Sequence, residues 1–228
     1  KKETGSSNIS FSIPTGNFGD AYAGYIAKEK FNIPIKKLIV ATNKNNILDR
    51  FFRTGIYKKD KVFTTISPSM DIQIASNFER LLYDITNESG EKVSEFMNSF
   101  KEKGVIKVEK KHYERTKESF VSFSVDEADT KQSIRNTYNK FNMVIDPHTA
   151  VGLEASDKYL DEYPNDIVVT LATAHPSKFS QSVNSILGFD PNLPFGYKNI
   201  LNLKENYQVI DKSYNLVKNF ILKNATNI

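Results

Sequence analysis

Apolar residues recur along the chain in two spacings, short runs typical of strands and wider repeats typical of helices. The short runs predict strands over residues 9–13, 37–42, 62–66 and 167–172, and a strand-like stretch over 143–146. The wider repeats predict helices over residues 18–30, 46–54, 75–84, 91–103, 126–141, 149–160, 178–187 and 206–222. We interpret residues 120–125 as an extended excursion. Strands that alternate with helices are typical of α/β proteins, so we expect a twisted, mostly parallel sheet with helices on both faces.

A glycine-rich segment joins the first predicted strand to the first predicted helix. It contains Gly16, Asn17, Phe18, Gly19 and Asp20, which we call the glycine loop. Glycines let a backbone approach an anion without obstruction by Cβ, and the N–H groups that begin a helix attract negative charge. The pattern therefore favours a phosphate site, while a tight strand-to-helix turn without a ligand remains open.

Composition narrows the chemistry further. The chain has 228 residues, with 39% apolar and 25% charged residues, as in ordinary globular proteins. It has no Cys, and its three His lie on separate segments, so we expect no disulfide and no metal site. The 31 basic and 27 acidic residues are dispersed, which disfavours nucleic acid as a partner. We see neither an apolar run long enough for a membrane nor a secretory signal, and we predict a cytoplasmic location.

Three groups of motifs resemble the threonine synthase family, pyridoxal-phosphate enzymes of fold type II with a tryptophan-synthase β-like architecture. The first group is Pro14-Thr15 with the glycine loop. The second runs through residues 38–43, 49–55, 67–73 and 76–80. The third joins Asp146-Pro147-His148-Thr149-Ala150-Val151-Gly152 to residues 171–179. Because the groups occur in family order over nearly the whole chain, the resemblance implies that residues 1–228 form the carboxy-terminal large-domain portion of such an enzyme.

The resemblance also implies roles for individual residues. The glycine loop would hold the phosphate of pyridoxal 5'-phosphate, and the hydroxyl of Thr173 would face its pyridine nitrogen. The implied substrate-binding residues are Ser69, Asp71, Asn77, Arg80 and His148. The arginines at positions 50, 53 and 80 are candidates for the substrate phosphate, since guanidinium groups suit phosphate oxygens. Simpler structural roles stay open for Thr173 as a helix cap, for His148, and for His175 as a hydrogen-bonded turn residue.

The family's Schiff-base lysine has no counterpart in this chain. In the family it precedes the glycine loop by a long stretch, whereas only a short strand precedes Gly16 here. Ser99-Phe100-Lys101-Glu102 imitates the lysine motif, but it lies downstream of the loop in a charged helix, so we assign no catalytic residue. The chain begins at Lys1 without Met, and we expect a missing amino-terminal region that carries the lysine.

These observations predict a threonine synthase that converts O-phospho-L-homoserine and water to L-threonine and phosphate when intact. The 228-residue chain alone is expected to be inactive. Two alternatives remain: a noncatalytic phosphate-ligand or partner-binding module of the same fold, and a fragment that works only with a separate amino-terminal polypeptide.

Overall fold

The computed structural model describes residues 9–225, which divide into two compact units, one extending to Asn192 and the other starting at Leu193. The described strands are β1 (Ile9–Pro14), β2 (Ile35–Thr42), β3 (Ile56–Lys58), β4 (Val105–Lys107), β5 (Phe120–Ser124) and β6 (Val168–Thr170). The described α-helices are α1 (Gly19–Glu29), α2 (Ile47–Thr54), α3 (Phe78–Ile85), α4 (Gly90–Lys103), α5 (Lys110–Ser119), α6 (Glu127–Phe141), α7 (Pro147–Glu162), α8 (Ser180–Leu187) and α9 (Tyr214–Asn224). Short 3-10 turns cover Pro68–Met70, Pro176–Phe179 and Ile200–Asn202.

The first unit is built on a four-stranded sheet in the order β5-β2-β1-β6. All three strand pairs are parallel, with Pro14 of β1 opposite Ala41 of β2 and Ala41 opposite Phe123 of β5. A separate antiparallel pair joins β3 and β4. The predicted α/β class with a mostly parallel sheet is confirmed.

Helices cover both faces of this sheet because successive side chains of a strand point to opposite sides. Leu38 and Val40 of β2 pack with α1, α2 and α3 in the largest apolar cluster. Ile39 and Ala41 pack instead with α7 in a second cluster. The nearly continuous apolar run of β2 thus reflects a strand that is buried on both faces.

Several predicted elements differ from the structure. Residues 120–125 are no excursion, since β5 is an edge strand whose polar Ser122 is buried and donates to Asp49 Oδ1 at 2.9 Å. Neither 62–66 nor 143–146 forms a strand, and only Val168–Thr170 of the predicted 167–172 strand is paired. The sequence pattern also gave no sign of α5, β3 or β4. The last helix begins at Tyr214 instead of residue 206.

The second unit contains the 3-10 turn Ile200–Asn202 and α9. Many of its large apolar side chains are exposed, with Phe195 at 96% and Val209 at 87%. Exposed apolar surface of this kind marks contact surfaces in other proteins.

Candidate functional site

The glycine loop leaves the sheet where β1 and β2 end side by side. The Thr15 N–H donates to the Ala41 carbonyl at 2.8 Å, and the Thr15 hydroxyl donates to Ile13 O at 2.5 Å. Beyond this anchor the chain passes very close to Ser69. A Cβ on Gly16 would lie 2.6 Å from the Ser69 carbonyl oxygen, a distance that real Cβ atoms do not adopt. Glycine at position 16 is therefore required by the close approach of two backbones.

Phe18 sets the start of α1 in an unusual backbone conformation. It has φ 67° and ψ 10°, the left-handed region that residues with a Cβ rarely adopt. Its ring is buried and contacts the rings of Phe52, Phe78 and Phe120, with centroids 5.6–6.2 Å away. This packing holds the strained turn. Because Phe18 has no polar side-chain atom, it caps none of the N–H groups that begin α1.

Asn77 ties the glycine loop to the start of α3. Its backbone N–H and its side-chain Nδ2 both donate to the Asn17 carbonyl, at 3.1 and 3.0 Å. A Cβ on Gly19 would lie 3.3 Å from Asn77 Nδ2, so Gly19 also sits in close contact with this side chain. Asn77 thus fixes the shape of the loop from outside.

A cavity of about 180 Å³ opens beside the glycine loop. It brings together residues that lie far apart in the sequence, and its lining consists of Pro14, Gly16, Asn17, Ser69, Met70, His148, Thr173, Ala174 and Lys178. The carboxyl ends of parallel strands and the connections that follow them meet here, which is where α/β sheets bind ligands. Thr173 is exposed and lies just beyond β6.

His148, which lines the cavity, is hydrogen-bonded to the buried carboxylate of Asp146. Asp146 Oδ1 accepts from both the backbone N–H and the ring Nδ1 of His148, each at 2.9 Å, and Oδ2 accepts from the Thr149 hydroxyl. Burial by itself would raise the pKa of Asp146, but the hydrogen bonds from His148 and Thr149 outweigh it and hold that pKa below its ordinary value. Asp146 is therefore ionised wherever the protein is folded near neutral pH.

Two of the predicted substrate-binding residues lie elsewhere in the structure. Asp71 accepts hydrogen bonds from the side chains of Asn43 and Asn45 at 2.8 and 2.9 Å, so its carboxylate holds the segment that follows β2 in place. Arg80 lines a different cavity of about 320 Å³, which it shares with Tyr22, Glu79, Tyr83 and Val93. Ser69 and His148 line the glycine-loop cavity, and Asn77 contacts the loop from outside.

The other two candidate arginines are engaged in contacts of their own. Arg53 Nε donates to Asp49 Oδ1 at 2.8 Å, and Arg50 donates to Gln73 at 3.1 Å. Neither is among the residues that line the cavity of the glycine loop. Lys178 does line the cavity of the glycine loop, although the sequence resemblance implied no role for it.

Residues that support the site were not predicted. Asp146 has a recognisable signal, because an Asp two residues before His148 and directly before a proline is typical of a helix N-cap. Asn43 and Asn45 carry no comparable local signal, because their partners Asp71 and Phe63 lie 28 and 18 residues further along the chain.

Residues 9–225 contain neither a metal-binding cluster nor a helix that could span a membrane. In that range no group of three or more His, Cys, Asp or Glu side chains is placed to hold a metal ion. None of the helices described there has the length and apolar character needed to cross a membrane. The cytoplasmic location stays a prediction.

Comparison with known proteins gives matches over almost the whole chain. The family model described as "Threonine synthase, C-terminal" matches residues 149–221. The chain is 38% identical over 215 residues to the threonine synthase of Pseudomonas aeruginosa, covering 94% of this chain and 45% of that protein. It is 39% identical over 240 residues to the threonine synthase of Saccharomyces cerevisiae, covering 95% of this chain and 46% of that protein.

Solved structures match equally well. The PLP-bound threonine synthase from Brucella melitensis superimposes with a TM-score of 0.85 at 36% identity, covering 94% of this chain and 46% of that chain. The yeast threonine synthase gives a TM-score of 0.83 at 38% identity, covering 97% of this chain and 48% of that chain. The chain therefore spans about half the length of the relatives that it matches.

Proposed function

Since the chain belongs to the threonine synthase family and matches its carboxy-terminal portion, we propose that it carries the cofactor-phosphate site of a threonine synthase. In the whole enzyme, O-phospho-L-homoserine and water are converted to L-threonine and phosphate. The cofactor is pyridoxal phosphate, which is bound in the structure of the Brucella melitensis relative. When bound, this cofactor supplies the electron sink that makes removal of a proton next to the amino group possible.

The observation that carries this proposal is the start of α1 beside the cavity, where Phe18 caps none of the N–H groups. The close contact with the Ser69 carbonyl holds Gly16, which lines the same cavity, in place. Such a cradle suits a phosphate group, whose oxygens accept from backbone N–H groups and whose charge the helix dipole favours. Lys178, which lines the same cavity, adds a positive charge. The residues present therefore fit the phosphate of pyridoxal phosphate.

Thr173 and His148 would orient the rest of the cofactor. Thr173 is exposed at the cavity wall, so its hydroxyl is available to the pyridine nitrogen. A hydroxyl is a neutral partner and leaves that nitrogen largely unprotonated, which moderates the electron demand of the ring. The imidazole of His148 is buried and is hydrogen-bonded to Asp146, so it forms a fixed part of the cavity wall.

The lysine that anchors the cofactor would come from the amino-terminal part of the family fold. Lys101 lies on the exposed side of α4 and is not among the residues that line the cavity. Nucleophilic lysines must reach the group that they bind, so Lys101 is no substitute. We therefore propose that this chain alone forms no threonine.

A pyridoxal phosphate titration tests the proposal directly. The purified chain is titrated with pyridoxal phosphate and, in parallel, with pyridoxal, and binding is followed by absorbance with and without borohydride reduction and peptide mapping. We expect saturable binding of pyridoxal phosphate, at least tenfold weaker binding of pyridoxal because the phosphate contacts are lost, and no single reduced lysine.

Three results would contradict the proposal in different ways. Equal affinity for the two compounds would place the bound phosphate away from the glycine loop. Stoichiometric labelling of one lysine, Lys101 included, or threonine formation by the chain alone would make it self-sufficient. Absence of saturable binding would remove the cofactor site from this chain.

A further inference from the structure

Asp146 is deeply buried and is not among the residues that line the cavity. It is 1% exposed, and it forms the N-cap of α7 by accepting from the N–H groups of His148 and Thr149. A buried carboxylate is costly unless it is well hydrogen-bonded, and a cap alone requires no more than a serine or asparagine. The extra contact that distinguishes Asp146 from an ordinary cap is the one to the imidazole of His148.

The contacts of that imidazole define its protonation. Ser69 N lies 3.2 Å from His148 Nε2, and a backbone N–H can only donate, so Nε2 must be the acceptor. Nδ1 then carries the proton of the neutral ring and donates it to Asp146 Oδ1 at 2.9 Å. The ring is 4% exposed and lies against Phe179, with centroids 4.6 Å apart, so it has little freedom to turn.

The accepted amide belongs to the residue that faces the glycine loop. The Ser69 carbonyl is the atom that a Cβ on Gly16 would meet at 2.6 Å. A shift of the Ser69 backbone therefore changes the space beside Gly16 directly. Contacts thus run from Asp146 to His148, from His148 to Ser69, and from Ser69 to the loop.

We propose that Asp146 is a positioning residue that fixes His148 in the Nδ1–H tautomer, so that Nε2 holds the Ser69 backbone against the glycine loop. The consequence for ligand binding rests on the proposed function, namely a pyridoxal phosphate site at this loop. Without the carboxylate, a proton on Nε2 would point at the Ser69 N–H, two donors would face each other, and the Ser69 segment would move away.

The matched variants are Asp146→Ser and Asp126→Ser. Both aspartates are helix N-caps, since Asp126 Oδ1 accepts from Asp129 N at 2.8 Å at the start of α6. Serine caps helices about as well as aspartate, so both substitutions keep the cap. Only the change at position 146 removes the acceptor from an imidazole. A third variant, His148→Gln, keeps Asp146 and supplies an amide oxygen that can accept from Ser69.

The primary readout is the tautomer of His148 in the chain without any ligand, from ring ¹⁵N chemical shifts. The chain has only three His, and the His148→Gln variant identifies the signal by its loss. We expect the Nδ1–H form in the wild type and in Asp126→Ser, and its loss in Asp146→Ser. Hydrogen exchange of the Ser69 amide should then be about tenfold faster in Asp146→Ser alone, since its acceptor is lost.

The second readout is affinity for pyridoxal phosphate, which should be about tenfold weaker in Asp146→Ser than in Asp126→Ser, the scale seen when groups supporting a ligand site are removed. In a His148→Gln background there is no tautomer to fix. Adding Asp146→Ser to that background should therefore leave Ser69 exchange unchanged, a non-additivity that a purely structural role would not produce.

Three results overturn the inference. The first is an Nε2–H tautomer in the wild type, and the second is an unchanged Ser69 exchange rate in an Asp146→Ser variant that has lost the Nδ1–H form. The third is equal affinity of Asp146→Ser and Asp126→Ser for pyridoxal phosphate while Ser69 exchange differs, because the contact then has no effect on the ligand and the positioning role is rejected. Failure of the wild type to bind pyridoxal phosphate would reject the proposed function, while the tautomer and exchange measurements still decide the role of Asp146.

Discussion

At the residue scale, the absence of a Cβ at Gly16 shapes the cavity. A Cβ at this position would collide with the Ser69 carbonyl oxygen, and a backbone atom cannot move aside as a flexible side chain can. The glycines of the chain differ in this respect. A Cβ on Gly90, the first residue of α4, would meet nothing within 4 Å. The two positions therefore separate the effect of a close approach from the general effect of replacing glycine.

We expect Gly16→Ala to destabilise the fold and weaken binding of pyridoxal phosphate. Displacing the Ser69 carbonyl costs about 1–3 kcal/mol, as overpacking does in a dense interior. The same displacement spoils the phosphate cradle, so affinity should fall at least about tenfold. Urea unfolding gives the first quantity and absorbance titration gives the second.

Gly90→Ala is the control for that prediction. It should be neutral or stabilising by up to about 1 kcal/mol, because alanine in a helix loses less backbone entropy than glycine on folding. Pyridoxal phosphate affinity should be unchanged. If Gly16→Ala behaved like Gly90→Ala, the close contact with Ser69 would not constrain the loop.

The sequence identified the members of the cavity better than their orientation. Gly16, Ser69, His148 and Thr173 were all selected from motifs, and the fold brings them to one cavity. Asp71 was selected with the same argument, yet the 3-10 turn Pro68–Met70 sends Ser69 towards the cavity while Asp71 binds Asn43. The direction in which a short turn points its side chains depends on distant partners, which a local motif does not encode. The assigned ligand-binding roles stay predictions.

At the element scale, one segment is held by side chains where a strand was expected. Residues 62–66 have the apolar character of a strand but pair with no other strand. The backbone of Phe63 bonds instead to the side chain of Asn45, with its N–H donating to Oδ1 and its carbonyl accepting from Nδ2, both at 2.8 Å. An asparagine amide presents an N–H and a carbonyl oxygen side by side, as a neighbouring strand does, and the second N–H of Asn45 donates to Asp71.

We expect Asn45→Ala to release this segment. Asn45 is buried. Its replacement leaves the Phe63 N–H and carbonyl without partners and removes one hydrogen bond to Asp71. The free energy of unfolding should therefore fall by about 2–3 kcal/mol. Urea unfolding measures the loss of stability. Limited trypsin digestion should also cut faster after Lys61, which is exposed and directly precedes the released segment.

Asn46→Ala provides the comparison at the next position. Asn46 begins α2 without a side-chain capping bond, so its replacement should change stability by less than about 0.5 kcal/mol and leave cleavage after Lys61 unchanged. Equal effects of the two substitutions would mean that the amide of Asn45 does not hold the segment.

The same elements explain how far the fold could be predicted. β1, β2 and the helices beside them follow from apolar spacing. β1 alternates apolar residues with serines, and β2 has a nearly continuous apolar run because it is buried on both faces. β5 was misjudged because Ser122 looks like an outward position, although a partner on α2 satisfies it inside the protein. α5 was missed because its buried face consists of His112, Tyr113, Thr116 and Ser119, which carry no apolar stripe.

At the scale of the whole molecule, the family resemblance inferred from three motif groups is confirmed. Each motif group is short. Their order along the chain nevertheless restricts the fold, because motifs that form one site must be brought together by different parts of the chain. The loop after β1, the 3-10 turn Pro68–Met70, the start of α7 and the segment after β6 meet at one cavity. The motifs do not include the hydrogen-bond network at the other edge of the sheet, where β2 and β6 begin.

Asp166 is the centre of that network. It lies in the turn before β6, accepts from Lys36 of β2, and accepts from the buried hydroxyl of Tyr159 of α7 at 2.6 Å. These bonds, first from Lys36 and then from Tyr159, hold the pKa of Asp166 below its ordinary value. Burial, and then the bond to Asp166, raise the pKa of Tyr159 to about 12, so the phenol stays a donor throughout the neutral and acidic range.

We expect Asp166→Asn to lower the free energy of unfolding by about 1–2 kcal/mol at pH 7, the scale of a charge-assisted hydrogen bond with one partner partly in water. Because the folded pKa of Asp166 is depressed, the stabilisation is complete above the unfolded pKa of about 3.9 and is lost as the pH falls through the folded pKa. The difference between variant and wild type, measured by urea unfolding from pH 7 down to pH 2.5, should therefore shrink towards zero at the acid end. Glu114→Gln removes a carboxylate from an exposed pair with Lys117 and should cost less than about 0.5 kcal/mol at every pH. A difference for Asp166→Asn that stayed constant down to pH 2.5 would mean that the shape of the side chain, and not its charge, joins β2, α7 and β6.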